Sequence, residues 1–325
     1  MSTVTVLDEL YKPIQPQMEQ VRSAVGDLYV DTLRLVHGAA VPRPKMGGKM
    51  LRPALCLLSA GATGAKDLDR FVSLATSVEL FHLAALAHDD VIDAADFRHG
   101  TSSLNVQWDN HAAVLGGDYL VSRAIAILAE YGSCDLISCA IDSVRQMSEG
   151  ELIYFGLGPD HFTEKACLTW ARQKTASLFA VICSAPTYLV DATYRDALYE
   201  FGEELGIAFQ LVDDVLDLCQ DRQTLGKPAC GDLVEAKRTI PILYLRQAVD
   251  DKGRARLDSM RGKPLSEEDR EWVIAMMEST GARERTEALA REYMESARSY
   301  LATLPSSIYR DAMFGLSEFV LVRGS

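Results

Sequence analysis

The chain has 325 residues, 48% of them hydrophobic and 24% charged, which is the balance of a folded protein rather than a disordered one. Its formal net charge is −13, which disfavours nucleic acid and anionic membrane surfaces as partners, since both are gripped by Lys and Arg. Seven cysteines, an odd number without a C-x-x-C, read as thiols of a reducing, cytoplasmic compartment with no zinc site.

Residues 1–14 read as an N-terminal arm, with acids and no apolar core, and so not as a signal peptide. Gln15 to Val36 carries a helical apolar stripe. The segment Gly47-Gly48-Lys49-Met50-Leu51-Arg52-Pro53 follows an extended Pro-rich linker. Glycines there allow close backbone approach to a ligand, although a GGK alone is a weak phosphate signal. Ala54 to Ala60 reads as a short apolar helix, and Leu68 to Ile92 as a long one. No run approaches the roughly 18 apolar residues of a membrane span.

The long helix ends in Asp89-Asp90-Val91-Ile92-Asp93, with Asp89 and Asp93 four apart on one face. Helices are expected over 109–131, 135–155 and from Thr163 through Lys174-Thr175 to Ala180, with a break at Pro186. Ala192 to Leu218 carries a second acidic motif, Asp213-Asp214-Val215-Leu216-Asp217, again among apolar residues. Residues 220–237 read as irregular, and the remainder as helical, with Ser266 and Asp269 resembling a capping box. No useful strand alternation occurs. The expectation is an all-α single domain over residues 1–325, a bundle of long helices around a central cleft, with Gly324-Ser325 set aside as a cloning scar.

Acidic helix faces are usually just solvated. Two copies of DDxxD with apolar flanks argue instead for a hard cation held by oxygen, Mg²⁺ above all, completed by water and a phosphate-bearing substrate. The six acids Asp89, Asp90, Asp93, Asp213, Asp214 and Asp217 are the candidate ligands.

In order along nearly the whole chain, these segments resemble the trans-isoprenyl diphosphate synthases, or polyprenyl synthetases. The matches are the GGKxxRP segment, His82, both acidic motifs, Arg98-His99-Gly100, Gly117-Asp118, Lys174-Thr175, Gly206 through Asp217, Leu225-Gly226-Lys227-Pro228 and Lys237-Arg238-Thr239-Ile240-Pro241. The resemblance implies a homodimeric prenyltransferase that condenses isopentenyl diphosphate with an allylic diphosphate. It implies that Lys49, Arg52 and His82, with His99, bind isopentenyl diphosphate, and that Arg98, Lys174, Thr175, Gln210, Lys227 and Lys237 surround the allylic diphosphate. Read without it, His82 is better explained as a satisfied core histidine and Lys174 as a surface lysine. Met50, His99 and Tyr154 depart from the family pattern, His99 and Tyr154 standing where an Arg and a Gln are usual. Ala84 and Ala85, small where short-product members carry aromatics, lean toward geranylgeranyl or longer products. Phe81 is then either a floor for the chain or ordinary core packing. A terpene cyclase and a non-catalytic subunit of a heteromeric synthase are the rival functions.

Overall fold

The computed structural model describes residues 3–37, 48–93, 97–98, 101–102, 109–156, 162–219 and 229–322. Helices dominate: α1 (Thr3–Tyr11), α2 (Gln15–His37), α3 (Leu51–Ala62), α4 (Val72–Ile92), α5 (Asn110–Ala129), α6 (Cys134–Gly156), α7 (Glu164–Ala171), α8 (Ser177–Ser184), α9 (Arg195–Cys219) and α10 (Gly231–Val234). The series closes with α11 (Ile240–Ala248), α12 (Asp251–Met260), α13 (Glu267–Ser279), α14 (Ala282–Leu301) and α15 (Ile308–Val322). Among the described residues the only strands are β1 (Phe97–Arg98) and β2 (Thr101–Ser102), which pair antiparallel in register 97 to 102 and 98 to 101. The all-α expectation holds. The N-terminal arm differs from its reading in being helical.

Local chemistry accounts for several of the starts. Asp109 accepts from Ala112 N–H, Thr163 from Ala166 N–H and Asp250 from Gly253 N–H, each supplying a bond that the first helical turn lacks. Ser266 accepts from Asp269 N–H at 3.1 Å and donates to its carboxylate at 2.8 Å, so the capping-box position is used although Asp replaces the longer acid.

The sequence reads as a single domain, yet the chain gathers into two compact units, neither of them contiguous. Unit 1 comprises residues 1–144, 179–202 and 299–316, and unit 2 comprises 145–178, 203–298 and 317–325. Helices α6 and α9 contribute residues to both, which is why no composition break marks the division. In unit 1, α4 is apolar around its circumference and packs on α2, α3 and α5. Its core includes Leu55, Leu58, Leu74, Leu80, Phe179 and Phe201. Unit 2 has its own core, in which Leu211 and Leu218 of α9 join Leu233, Ile242, Leu245, Val273 and Met277.

The expectation that no segment approaches a membrane span needs correction. By length and composition Asp69–Ile92 and Asn110–Ala129 both qualify. The first is a core helix, with 61% of its apolar window buried inside the protein. The second is less covered, at 33%.

Two positions in unit 1 test the packing. A Cβ on Gly202 would meet the Phe179 carbonyl oxygen and lie 2.7 Å from Ala180 Cα, so α9 and α8 touch through backbone. Gly202→Ala is expected to destabilise the protein by about 1–3 kcal/mol, as overpacking against an unyielding neighbour does. A chemical-denaturation midpoint equal to wild type would show that α8 can retreat.

The second position is Glu79 of α4, a buried carboxyl. Burial pushes its pKa up from the usual 4.5 to about 7, against the opposing pull of Arg52. Because the folded-state value lies above the unfolded one, its contribution to stability is complete below about pH 4.5 and is lost as pH rises through about 7. Glu79→Gln removes the titration. The variant is expected to be more stable than wild type at pH 8 by roughly 3 kcal/mol, with the gap closing toward pH 5. Denaturant midpoints across that range check it; parallel profiles would mean that Glu79 does not titrate there.

Candidate functional site

The first acidic motif sits at the C-terminal end of α4, where Asp93 is the C-cap and its N–H donates to the Asp89 carbonyl. Helical rotation sorts the three acids. Asp89 and Asp93 are half-buried, whereas Asp90 is 2% exposed on the inner face. Its charge bears on Tyr29 of α2, whose phenol is pushed up to about 12, chiefly by burial and secondly by Asp90. Next to the motif, His88 Nε2 lies 3.3 Å from Asp118 Oδ1 and 3.2 Å from the Val114 carbonyl, tying the end of α4 to α5. His82 is half-buried two turns earlier, as is Ala85, while Phe81 and Ala84 are buried in the core.

The other cationic segment of unit 1 enters α3. Gly48 has φ +99, and Met50, the N-cap of α3, is left-handed at φ 50 and ψ 40 with its side chain buried. Lys49 between them is exposed, and Arg52 is half-buried with its guanidinium carbon 4.8 Å from the Phe179 ring centroid. Arg98 belongs to β1. His99 and Lys227 lie outside the described residues.

Unit 2 carries the second motif on α9. Asp213 is exposed, while Asp214 and Asp217 are 5% and 6% exposed. Each buried acid has a donor. Gln210 Nε2 donates to Asp214 Oδ1 at 2.7 Å, and Asp232 N–H donates to Asp217 Oδ2 at 2.8 Å. Thr175 Oγ1 in turn donates to Gln210 Oε1 at 2.6 Å, which fixes the amide's orientation and so aims its NH₂ at Asp214. Burial nevertheless raises the Asp214 pKa well above the carboxylate range, helped by Asp213 and Asp217 and opposed by Gln210 and Lys237. Lys237 is also 2.5 Å from Glu235.

Lys174 and Thr175 lie on a single π-helical turn, Arg172–Ala176, inserted between α7 and α8. Such turns change the helical register locally and recur at functional sites. The Lys174 ammonium is 2.7 Å from Glu151 Oε1 and 5.4 Å from the Trp170 ring centroid. Trp170 Nε1 donates to the same Glu151 oxygen at 3.2 Å. Tyr154 stacks at 5.0 Å on Trp170, and its hydroxyl accepts from the Arg238 backbone N–H. Sequence reasoning noticed Tyr154 only as a departure, and it missed Glu151 and Trp170. Their one signal was helical spacing: 151 and 154 share a face of α6, and 170 precedes 174 by one turn.

Each motif therefore offers accessible acids backed by buried ones, and in the second motif the buried Asp214 and Asp217 each accept a hydrogen bond. Among the described residues neither acidic motif forms a ready-made three-ligand cage. Mg²⁺ takes one or two carboxylates and completes its shell with water and phosphate. The all-oxygen donor set fits the same ion.

Comparison with known proteins agrees. Residues 38–277 match the polyprenyl synthetase family model. The chain is 35% identical over 320 residues to an all-trans-nonaprenyl-diphosphate synthase (geranyl-diphosphate specific) of Rhodobacter capsulatus, covering 97% of each chain. Among solved structures it is similar to a polyprenyl synthase from Caulobacter crescentus complexed with calcium and isoprenyl diphosphate, with a TM-score of 0.88, 29% identity and 98% of both chains covered. It is also similar to a geranylgeranyl pyrophosphate synthetase from Pyrococcus horikoshii, with a TM-score of 0.84 and 27% identity over 97% of this chain and 98% of that one. The chain thus belongs to the polyprenyl synthetase family and is a chain-elongating trans-prenyltransferase.

Proposed function

We propose that the protein condenses isopentenyl diphosphate with an allylic diphosphate, in a Mg²⁺-dependent reaction, to give a trans-polyprenyl diphosphate of geranylgeranyl length or longer. The observation that carries this reading is the hydrogen-bonded series Thr175–Gln210–Asp214, which binds the π-helical turn of Lys174 to the second acidic motif. It gives cations and carboxylates of unit 2 fixed positions, as preorganised electrostatic catalysis requires. Asp89 and Asp93 of the first motif and Asp213 of the second are the accessible acids suited to holding Mg²⁺. Bound Mg²⁺ would offset charge on the departing diphosphate.

In this reading Lys174 and Lys237, together with Arg98 and Lys227, hold the allylic diphosphate, with Thr175 and Gln210 as polar neighbours. Lys49, Arg52 and His82 hold isopentenyl diphosphate, with the weaker cation His99 at a position where the family usually has Arg. Asp90, Asp214 and Asp217 act behind the accessible acids rather than on the ligand. The reacting alkene attacks the ionised allylic carbon, and a proton leaves to diphosphate oxygen.

We also propose a cytoplasmic homodimer. Val114 and Leu115 of α5 and Ile141 of α6 are exposed apolar residues of unit 1, Leu115 at 67%, of the kind that a second copy would cover. All seven cysteines are free thiols, four of them buried, which suits a reducing compartment. Incubation of pure protein with labelled isopentenyl diphosphate and each allylic starter, followed by sizing of the products, tests the reaction and separates it from a cyclase or an inactive subunit.

Asp89→Ala and Asp213→Ala are each expected to cut turnover by at least about a hundredfold, the scale of losing one preorganised electrostatic contact. Chelator should abolish turnover in wild type. Full activity in either variant or in chelator would sink the metal assignment.

Product length gives a further expectation. If the chain grows along α4, Phe81→Ala lengthens the product and Ala84→Phe shortens it to about farnesyl size, by filling space beside the first acidic motif. Unchanged product distributions would leave Phe81 as core packing, which its burial also fits.

A further inference from the structure

The segment that carries Lys49 and Arg52 is held in an unusual conformation from a distance. Gly48 and Met50 both have positive φ, so Lys49 is bracketed by two left-handed residues. Glycine takes that conformation readily, but an L-residue such as Met50 pays for it and keeps it only where its surroundings over-determine it. One such restraint comes from the N-terminal arm. Tyr11, at the end of α1 and 5% exposed, donates its hydroxyl to the Lys49 carbonyl at 2.7 Å across 38 residues of sequence. That carbonyl belongs to the peptide joining Lys49 to Met50. Met50 then accepts from Ala54 N–H at 3.2 Å, the bond that opens α3. Rotating the tethered peptide would swing Lys49 and shift the first turn of α3, where Arg52 sits.

We infer that Tyr11 is a positioning residue for isopentenyl diphosphate, aiming Lys49 and Arg52 through the Lys49 carbonyl. The inference rests on the reading above, in which those two cations grip that substrate. The phenol is a dependable donor: burial, with Glu79 acting in the same direction and Arg22 against it, raises its pKa far above neutral. The substrate needs two cations at a set spacing, and misaim by even a small angle weakens one contact while leaving the fold in place.

Tyr11→Phe deletes only the hydroxyl. It is expected to raise the KM for isopentenyl diphosphate about fivefold, the worth of one hydrogen bond, while the KM for the allylic diphosphate stays within about twofold. Lys12→Ala is the control, since Lys12 is exposed and pairs only with Glu9 among the described contacts of its side chain; both KM values should stay at wild type. In a Lys49→Ala background, which keeps the carbonyl and leaves only Arg52 to be aimed, Tyr11→Phe should raise the KM for isopentenyl diphosphate by a smaller factor than in wild type, because part of its effect runs through Lys49. A purely structural role would instead lower the thermal midpoint and affect both substrates alike, and that result overturns the inference. Wild-type turnover with an unchanged KM in Tyr11→Phe also overturns it while leaving the proposed function standing. Wild-type protein that does not turn over isopentenyl diphosphate removes the reading of Lys49 and Arg52, and this inference with it.

Discussion

A carboxyl can stay inside a helical core only if it is protonated or something answers its charge, and the second acidic motif is built under that constraint. Asp214 and Asp217 are nearly inaccessible on α9, and each receives a donor: the Gln210 amide for one, the Asp232 backbone N–H for the other. The Gln210 amide is oriented in turn by Thr175. A motif that reads in sequence as three equivalent acids is therefore one exposed acid, Asp213, supported by two that hold the surrounding backbone and side chains in place. The Asp217 bond draws the start of α10 against α9, which Cys230 N–H reinforces by donating to the Asp217 carbonyl at 2.7 Å.

The same economy governs the cations. Lys174 is not an isolated ammonium on a helix surface; it is paired with Glu151 and set against the Trp170 ring. Its neighbour Trp170 shares the Glu151 oxygen, and Tyr154 links that ring to the backbone at Arg238. A long, flexible side chain is thereby confined by two neighbours. Tyr154, a departure from the family pattern, takes part in this cluster, so the substitution is accommodated by a different set of contacts rather than by an empty place.

Strain and apolar surface are the two features that the core does not explain. Met50 keeps a left-handed backbone beside Lys49, and non-glycine strain of that kind gathers where a side chain must be aimed. Leu115 leaves a large apolar side chain open on α5, a long apolar helix of which 33% of the apolar window is buried.

Sequence by itself determined the helices, because apolar periodicity and capping residues are local: Thr163, Asp109 and Ser266 cap where they stand. It pointed to the chemistry as well, since two DDxxD motifs with a GGKxxRP segment upstream make a specific signature of the family to which the chain belongs. It did not determine which acids face outward, because that depends on the rotation of α4 and α9 against their neighbours. Nor did it foresee the π-helical turn at Arg172–Ala176, the Glu151 and Trp170 contacts of Lys174, or the bond from Tyr11 to Lys49. Each joins residues through register or across distance, and helical spacing, which sets 170 one turn before 174, does not say which neighbour on another helix they meet. The division into two compact units was hidden for the same reason: α6 and α9 serve both, so only tertiary contacts, and no break in the chain, mark it.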